Sequence, residues 1–265
     1  MNAPADPALQ AYVLSSVRDS VATLTLNRGA RYNALSRAMI EALEQAIDGI
    51  AGERSIRAVV IAAEGKGFCA GHDLKELRAH PDEAWQRELF DACSRMMLKL
   101  TQLPQPVIAR VHGIATAAGC QLVSMCDLAV AAEAAQFALP GVKVGVFCTT
   151  PAVGVGRNVS RKRVMEMLLT GEPIDAATAL AWGLVNRVVP ADALDAAVKA
   201  FTDLIVARSA SVIAMGKSAF YRQIEQPLAA AYDLSSASMA CNLLDPDAAE
   251  GIDAFVDKRD PHWRA

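Results

Sequence analysis

Short apolar runs alternate with amphipathic stretches over roughly the first two thirds of the chain. Residues 57–63 (RAVVIAA) and 106–112 (PVIARVH) are rich in Val, Ile and Ala, which is typical of strands buried on both faces. A further strand is predicted at 20–27. A helix is predicted to begin directly after Ser36, a residue suited to the N-cap position. Strands that are each followed by a helix predict repeated β/α units in one layered α/β domain.

Beyond Arg161 the pattern becomes almost wholly helical. Gly171 and Gly183 are expected to end helices, and one brief strand is predicted at 185–189. The predicted later helices lie near 191–207, 209–225, 227–244 and 246–258. These helices carry apolar faces that must be buried, and a helical appendage of this kind often packs on a neighbouring subunit, which we expect here. The apolar residues concerned are Leu228, Tyr232, Leu234, Met239 and Leu243.

Composition excludes several classes of protein. With 265 residues, 53% of them hydrophobic, the chain can bury a large core, which excludes disorder as its main state. The net charge of -3 and the lack of a local basic patch predict no binding to nucleic acid. No run of about 18 apolar residues is present, so no membrane span is predicted.

The compartment and the state of the cysteines are also predicted from composition. Residues 1–15 show neither a secretory nor a transit pattern, so we expect a flexible N-terminal lead to a cytoplasmic protein. The six cysteines form no C-x-x-C pair and lie mostly in apolar surroundings, so we expect them to be reduced and buried.

Two loops built from small residues follow the two apolar strands. They are residues 65–74 (GKGFCAGHDL) and 113–121 (GIATAAGCQ). Glycine permits sharp turns and close approach of a ligand to backbone amides, and a helix start adds unpaired amides with a partial positive charge. Tight turns need glycine whatever their function, so for either loop alone two interpretations stay open, an anion-binding loop and a purely structural turn. Neither loop matches a phosphate-binding loop or a dinucleotide fingerprint.

Several segments in a fixed order resemble the crotonase (enoyl-CoA hydratase/isomerase) superfamily, and within it they look closest to one branch. These segments are Asn33-Ala34-Leu35, residues 67–74, residues 106–127, residues 137–145, and the tail around Glu250-Gly251-Ile252. The resemblance implies an α/β fold with a ββα spiral core at 16–200 and a C-terminal helical trimerisation region at 201–265. It also implies binding of acyl-CoA thioesters by a homotrimer or a dimer of trimers, with no cofactor besides the coenzyme A of the substrate.

The resemblance also implies an oxyanion hole made of backbone amides. In this sequence the two amides belong to His72 and Ala118. Such donors stabilise an enolate oxygen in the transition state by about 3 kcal/mol each. The implied substrate-binding residues are Ala70, His72, Asp73, Leu74, Lys75 and Ala118. For Lys75, a solvated helix charge is the equally open alternative.

The sequence departs from the superfamily where hydration needs proton transfer. Hydratases of this family supply two glutamates, and the matching positions here are Gln121 and Gly141. Glutamine does not titrate at neutral pH, and glycine has no side chain. Because each acid or base group contributes about 10²- to 10⁴-fold, we expect ordinary hydratase activity to be weak or absent.

Two alternatives remain open on the sequence. One is an active enoyl-CoA lyase or isomerase with another proton carrier, either His72 or a bound anion, since residues 141–145 resemble a naphthoyl-CoA synthase loop in which glycine leaves room for bicarbonate. The other is a non-enzymatic scaffold.

Other polar or nucleophilic residues are expected to be structural. We expect Asp127 to act as a structural cap, and Cys120 and Cys148 to be buried inert thiols. His80, His112 and His262 lack metal-ligand spacing, so no metal site is predicted.

Overall fold

The computed structural model describes residues 12–264, which form nine strands, eleven helices and three short 3-10 turns. The strands are β1 (Val13–Arg18), β2 (Val21–Leu26), β3 (Ala58–Ala63), β4 (Val107–Val111), β5 (Ala115–Thr116), β6 (Leu128–Ala132), β7 (Gln136–Ala138), β8 (Ile174–Asp175) and β9 (Arg187–Val189). The helices are α1 (Arg37–Ala51), α2 (Leu74–Ala79), α3 (Glu83–Gln102), α4 (Ala118–Met125), α5 (Thr149–Asn158), α6 (Arg161–Thr170), α7 (Ala176–Trp182), α8 (Leu194–Val206), α9 (Ala210–Gln223), α10 (Leu228–Leu243) and α11 (Pro246–Asp257).

Six strands form the main sheet in the order β1, β2, β3, β4, β6, β9, and a second sheet has the order β5, β7, β8. Strands β1 and β2 are antiparallel, whereas the later neighbours in the main sheet are all parallel. Parallel neighbours require a crossover connection, which the helices between them supply. The carboxyl ends of β3 and β4 therefore lie side by side, and their outgoing loops meet at one edge of the sheet.

Successive side chains of the central strands enter two different cores. In β4, Val107 and Ala109 belong to a large cluster with residues of α1 and α3, whereas Ile108 belongs to a smaller cluster under α8. All three side chains are fully buried. The continuous apolar runs of the sequence therefore reflect strands covered on both faces, as predicted.

Local capping confirms several predicted helix ends. The Ser36 Oγ accepts a hydrogen bond from the Met39 amide at 3.3 Å, so Ser36 is the N-cap of α1. Gly171 and Gly183 end α6 and α7 in the left-handed conformation, with φ of +66° and +87°. Glycine adopts this conformation without the steric penalty of a β-carbon.

The structure adds a strand, β1, before the one predicted at 20–27. Strand β1 pairs antiparallel with β2, with Val13 opposite Leu26. Residues 13–15 are therefore strand rather than flexible lead, because pairing satisfies their backbone groups. In β1 only Val13 is buried, so this edge strand has no apolar alternation to reveal it. Residues 1–11 of the predicted lead lie outside the described part of the chain.

A largely buried ion pair holds α9 against the core. The Lys217 Nζ donates a hydrogen bond to Asp127 Oδ2 at 2.7 Å and to two backbone carbonyls at 2.9 Å each. The Tyr221 hydroxyl donates to Asp127 Oδ1 at 2.8 Å, and the Val107 amide donates to Oδ2 at 2.6 Å. Asp127 is therefore structural, as predicted, but it joins β4 to α9 instead of capping a helix.

The C-terminal helices leave large apolar side chains in solvent. Leu228 is 75% exposed, Tyr232 is 68% exposed and Phe255 is 85% exposed. No other part of residues 12–264 covers these side chains, which leaves an apolar surface on α10 and α11.

The cysteines are free, and five of the six are buried, as expected. Cys241 is exposed, contrary to the prediction, because it lies on an outward face of α10. Among residues 12–264, no helix combines the length and apolar character needed to cross a bilayer.

Candidate functional site

The loops that leave β3 and β4 bind to each other beyond the edge of the main sheet. The Phe68 amide donates to the Ile114 carbonyl at 2.9 Å, and the Thr116 amide donates to the Cys69 carbonyl at 2.9 Å. The Thr116 hydroxyl adds a third bond, to the Ala70 carbonyl at 3.0 Å. Residues 68–70 and 114–116 therefore form a short parallel pair that fixes both loops.

Asn33 holds the first of these loops from below. Its side chain is fully buried, and Nδ2 lies 2.9 Å from the Glu64 carbonyl, 3.0 Å from that of Gly67 and 3.1 Å from that of Phe68. Its Oδ1 accepts from the Arg28 amide at 2.8 Å. Asn33 thus stabilises the conformation of the first loop through its hydrogen bonds, a role that the sequence alone did not indicate.

Gly71 brings the two loops into direct contact. It has φ of +85°, and a β-carbon there would lie 2.8 Å from Ala117 Cβ and 3.0 Å from the Ala118 nitrogen. The Leu35 amide donates to the Gly71 carbonyl at 2.7 Å and fixes this approach. Only glycine satisfies both the backbone angle and the close contact at this position.

The amides of His72 and Ala118 are both free of protein partners in this region. Among residues 12–264, neither donates a hydrogen bond in a turn, loop or cap. Ala118 is the first residue of α4, and its N-cap residue, Ala117, supplies no side-chain cap. Two unengaged donors near a helix N-terminus are suited to binding an anionic oxygen.

Ala117 has a strained backbone. Its φ of +50° and ψ of -121° are unusual for any residue with a β-carbon. The Ala117 amide donates to the Ala138 carbonyl at 2.9 Å, which ties the turn to the end of β7. This strained turn sets the direction of the next amide, that of Ala118.

The Gln121 side chain lies within one turn of Ala118 and is 5% exposed. Its Oε1 is buried without a hydrogen-bond partner among the described residues. The position therefore holds a buried amide, which can orient a polar group but cannot exchange a proton with it at neutral pH.

The backbone around Gly141 leaves no room for a side chain. A β-carbon there would lie 2.7 Å from the Val146 carbonyl oxygen and 2.9 Å from Cys148 Sγ. The Val146 amide donates to the Gly141 carbonyl at 3.0 Å, which closes the turn that begins at Pro140. The space that the resemblance would give to bicarbonate is thus occupied directly beside Gly141 by Cys148.

The His72 ring is held by the loop and by α3. Its Nδ1 lies 3.3 Å from the Leu35 carbonyl oxygen, and the ring meets Phe90 edge-on with centroids 5.0 Å apart. Burial lowers the pKa of His72, and the Leu35 contact opposes that shift only in part. The imidazole is therefore neutral at neutral pH.

The remaining predicted substrate-binding residues lie along the first loop and the start of α2. Asp73 caps α2, because its Oδ1 accepts from the amides of Lys75 at 2.9 Å and Glu76 at 3.3 Å. Ala70, Leu74 and Lys75 are exposed beside it. The carboxylate of Asp73 is thus engaged in the fold, while its three neighbours are accessible.

The thiols near the site are protonated. Burial raises the pKa of Cys120 to about 12 and also raises that of Cys148. A thiol in this state is a poor nucleophile. Within residues 12–264, no three His, Cys, Asp or Glu side chains are grouped in a way that could hold a metal ion.

Comparison with known proteins identifies the family. The family model described as enoyl-CoA hydratase/isomerase matches residues 16–265. The chain belongs to the enoyl-CoA hydratase/isomerase family. Members of this crotonase-fold family bind acyl-CoA thioesters and are typically oligomeric, and the α/β fold with a C-terminal helical region agrees with that assignment.

Individual relatives confirm the family and the branch that the sequence segments resemble, that of enoyl-CoA hydratase domain-containing protein 3. The protein of that name from Rattus norvegicus is 44% identical over 98% of this chain and 87% of its own. The crystal structure of the human protein of that name has a TM-score of 0.93 and 43% identity, over 95% of this chain and 100% of its own. A crystal structure of an enoyl-CoA hydratase from Mycobacterium smegmatis has a TM-score of 0.94 and 53% identity, over 96% and 99%.

These relatives correct the predicted compartment. Five similar proteins named enoyl-CoA hydratase domain-containing protein 3 are all named mitochondrial, which contradicts the prediction of a cytoplasmic protein. That prediction rested only on the lack of a secretory or transit pattern in residues 1–15.

Proposed function

We propose that this protein binds acyl-CoA thioesters and stabilises an enolate oxygen between the amides of His72 and Ala118, with little or no hydration of enoyl groups. The observation that supports the proposal is the close approach at Gly71, the residue before His72, to the Ala118 nitrogen, together with the lack of a turn, loop or cap hydrogen bond from either amide. An oxygen that gains charge there would meet both donors. Each is worth about 3 kcal/mol in the transition state, or roughly 100-fold in rate.

The proton chemistry of the site differs from that of a hydratase. Loss of the C2 proton gives the enolate, and a solvent base accepts this proton, because Gln121 and Gly141 offer no carboxylate. Addition of water to an enoyl group needs a positioned base and acid, each worth about 10²- to 10⁴-fold. The site therefore supports enolate formation far better than hydration.

Acyl-CoA titration, crotonyl-CoA hydration and exchange of C2 protons with D₂O test the proposal together. We expect micromolar or tighter binding, C2 exchange above the solvent rate, and hydration near background. Rapid hydration would overturn the proposal. Loss of exchange in His72→Phe, which keeps the backbone amide, would favour the alternative lyase or isomerase with His72 as proton carrier. Failure to bind any thioester would favour the scaffold.

The substrate-binding role of Lys75 is part of the proposal. Its side chain is exposed at the first turn of α2, with no ion pair to another described residue. A cation there suits the phosphates of coenzyme A. We expect Lys75→Ala to weaken acyl-CoA binding severalfold at low salt and less at 0.5 M NaCl, where charges are screened.

The oligomeric form is proposed as a homotrimer or a dimer of trimers. Its support is the apolar surface of α10 and α11, where Leu228, Tyr232, Phe255 and Val256 are each more than two thirds exposed. Patches of this kind mark protein interfaces. Sedimentation equilibrium should give three or six times the 28.1 kDa of the chain, and a monomer would contradict the proposal.

A further inference from the structure

The proposed enolate chemistry uses the backbone of His72 but not its side chain. The Nδ1 atom lies 3.3 Å from the Leu35 carbonyl oxygen, which can only accept. In the neutral ring Nδ1 must therefore carry the proton, and Nε2 must carry a lone pair. Nε2 is buried and has no hydrogen-bond partner among the described residues.

The charge state of the ring makes Nε2 an acceptor. Burial lowers the pKa of His72, so the ring is neutral at neutral pH and offers no proton at Nε2. A buried acceptor that lacks a donor carries its full desolvation penalty. A bound group with an O–H or N–H can remove this penalty.

The position of the ring connects it with the acyl group. His72 follows Gly71, and its own amide is assigned to the thioester oxygen. The ring lies between this loop and α3, where it contacts Phe90. A thioester held at that amide would therefore lie next to the residue that carries the imidazole.

A second acceptor without a donor lies on the other loop. Gln121 Oε1 is also buried and unpartnered, one helical turn beyond Ala118. Each of the two loops thus carries a buried acceptor, and no described residue supplies the matching donor to either one.

We propose that His72 is a specificity-determining residue, whose Nε2 accepts a hydrogen bond from a hydroxyl or amino group on the acyl chain of the bound thioester. The inference rests on the proposed function, because it requires a thioester held at the two amides. An unsubstituted chain leaves Nε2 buried and unpaired, whereas a chain with a donor satisfies it.

Calorimetry with four thioesters tests the preference. The probes are butyryl-CoA and its 2-hydroxy, 3-hydroxy and 4-hydroxy derivatives, which place the donor on each carbon in turn. At least one hydroxy derivative should bind about tenfold more tightly than butyryl-CoA. If none binds more tightly, the inference is overturned while the proposed function stands. If none of the four binds, the proposed function fails as well.

The ratio of the two dissociation constants identifies the residue. His72→Phe keeps an aromatic ring and the backbone amide but removes the acceptor, so the ratio should fall close to one. His80→Phe is the matched control, because His80 is exposed and stacks on Trp85 at 4.3 Å. It should keep the ratio. A ratio that survives His72→Phe and is lost in Gln121→Met would assign the preference to Gln121 and overturn the inference.

Discussion

Replacing Gly141 by alanine would place a β-carbon against atoms that cannot move independently. It would lie 2.7 Å from the Val146 carbonyl oxygen, 2.9 Å from Cys148 Sγ and 3.2 Å from the Cys148 nitrogen. Two of these atoms belong to the backbone, and the sulfur belongs to Cys148, which is buried at the N-cap of α5. The whole turn from Pro140 to Cys148 must therefore shift to admit one methyl group.

The cost of this shift follows from overpacking in a closed turn. We expect Gly141→Ala to lower the free energy of unfolding by about 1–3 kcal/mol, measured by urea denaturation. Gly156→Ala is the matched control on α5, because no atom lies within 4 Å of its β-carbon position. Alanine is the better helix former there, so that variant should gain up to about 1 kcal/mol.

The same geometry predicts the outcome of an attempt to restore a hydratase. Gly141→Glu should be destabilised at least as much as Gly141→Ala and should not hydrate crotonyl-CoA. Cys148→Ala in the same chain should recover part of the loss, because it removes the sulfur that crowds the new side chain. An unchanged urea midpoint for Gly141→Ala, or rapid hydration by Gly141→Glu, would refute this reasoning.

Three further changes have defined outcomes. Burial lowers the pKa of His72, so below about pH 6.5 the unfolded chain binds more protons than the folded chain, and the free energy of unfolding should fall as the pH drops. Urea titrations at several pH values measure this fall, which should be less steep in His72→Phe. Lys217→Met leaves Asp127, which is largely buried, without its cation and should cost about 3 kcal/mol by chemical denaturation, whereas Lys199→Met breaks an exposed pair and should cost less than about 1 kcal/mol. Ala117→Gly relieves the strained backbone angle and should raise the thermal midpoint by a few degrees in calorimetry, whereas a lower midpoint would contradict strain there.

The strands and their loops were predictable because their signal is local. The run at 57–63 shows burial on both faces through composition alone, and the structure places β3 at Ala58–Ala63. Strand β1 was missed, since only one of its six residues is buried and the pairing with β2 determines it. The resemblance of several segments in a fixed order indicated the family, which the comparisons confirm.

The long-range contacts of the site could not be predicted in the same way. Asn33 binds carbonyls 31 to 35 residues away, and Lys217 binds Asp127 across 90 residues. Cys148 crowds Gly141 because the turn between them closes, and the spacing of these residues in the sequence does not reveal that closure. The sequence also could not show that His72 Nε2 has no partner, because this depends on the contact of Nδ1 with the Leu35 carbonyl oxygen.

We propose that two backbone amides stabilise an enolate at a site that lacks both hydration carboxylates. Exchange of the C2 protons of butyryl-CoA in D₂O, followed by NMR, measures it most directly. Ala118→Pro removes one amide at the first position of α4, where proline costs no helical hydrogen bond. Because its ring crowds Gly71, the acyl-CoA affinity of the variant is measured beside exchange. We predict exchange by the native protein and a loss of about 10²- to 10³-fold in this variant, with folding verified by circular dichroism. No exchange by the native protein, or an equal rate in both proteins, would contradict the claim.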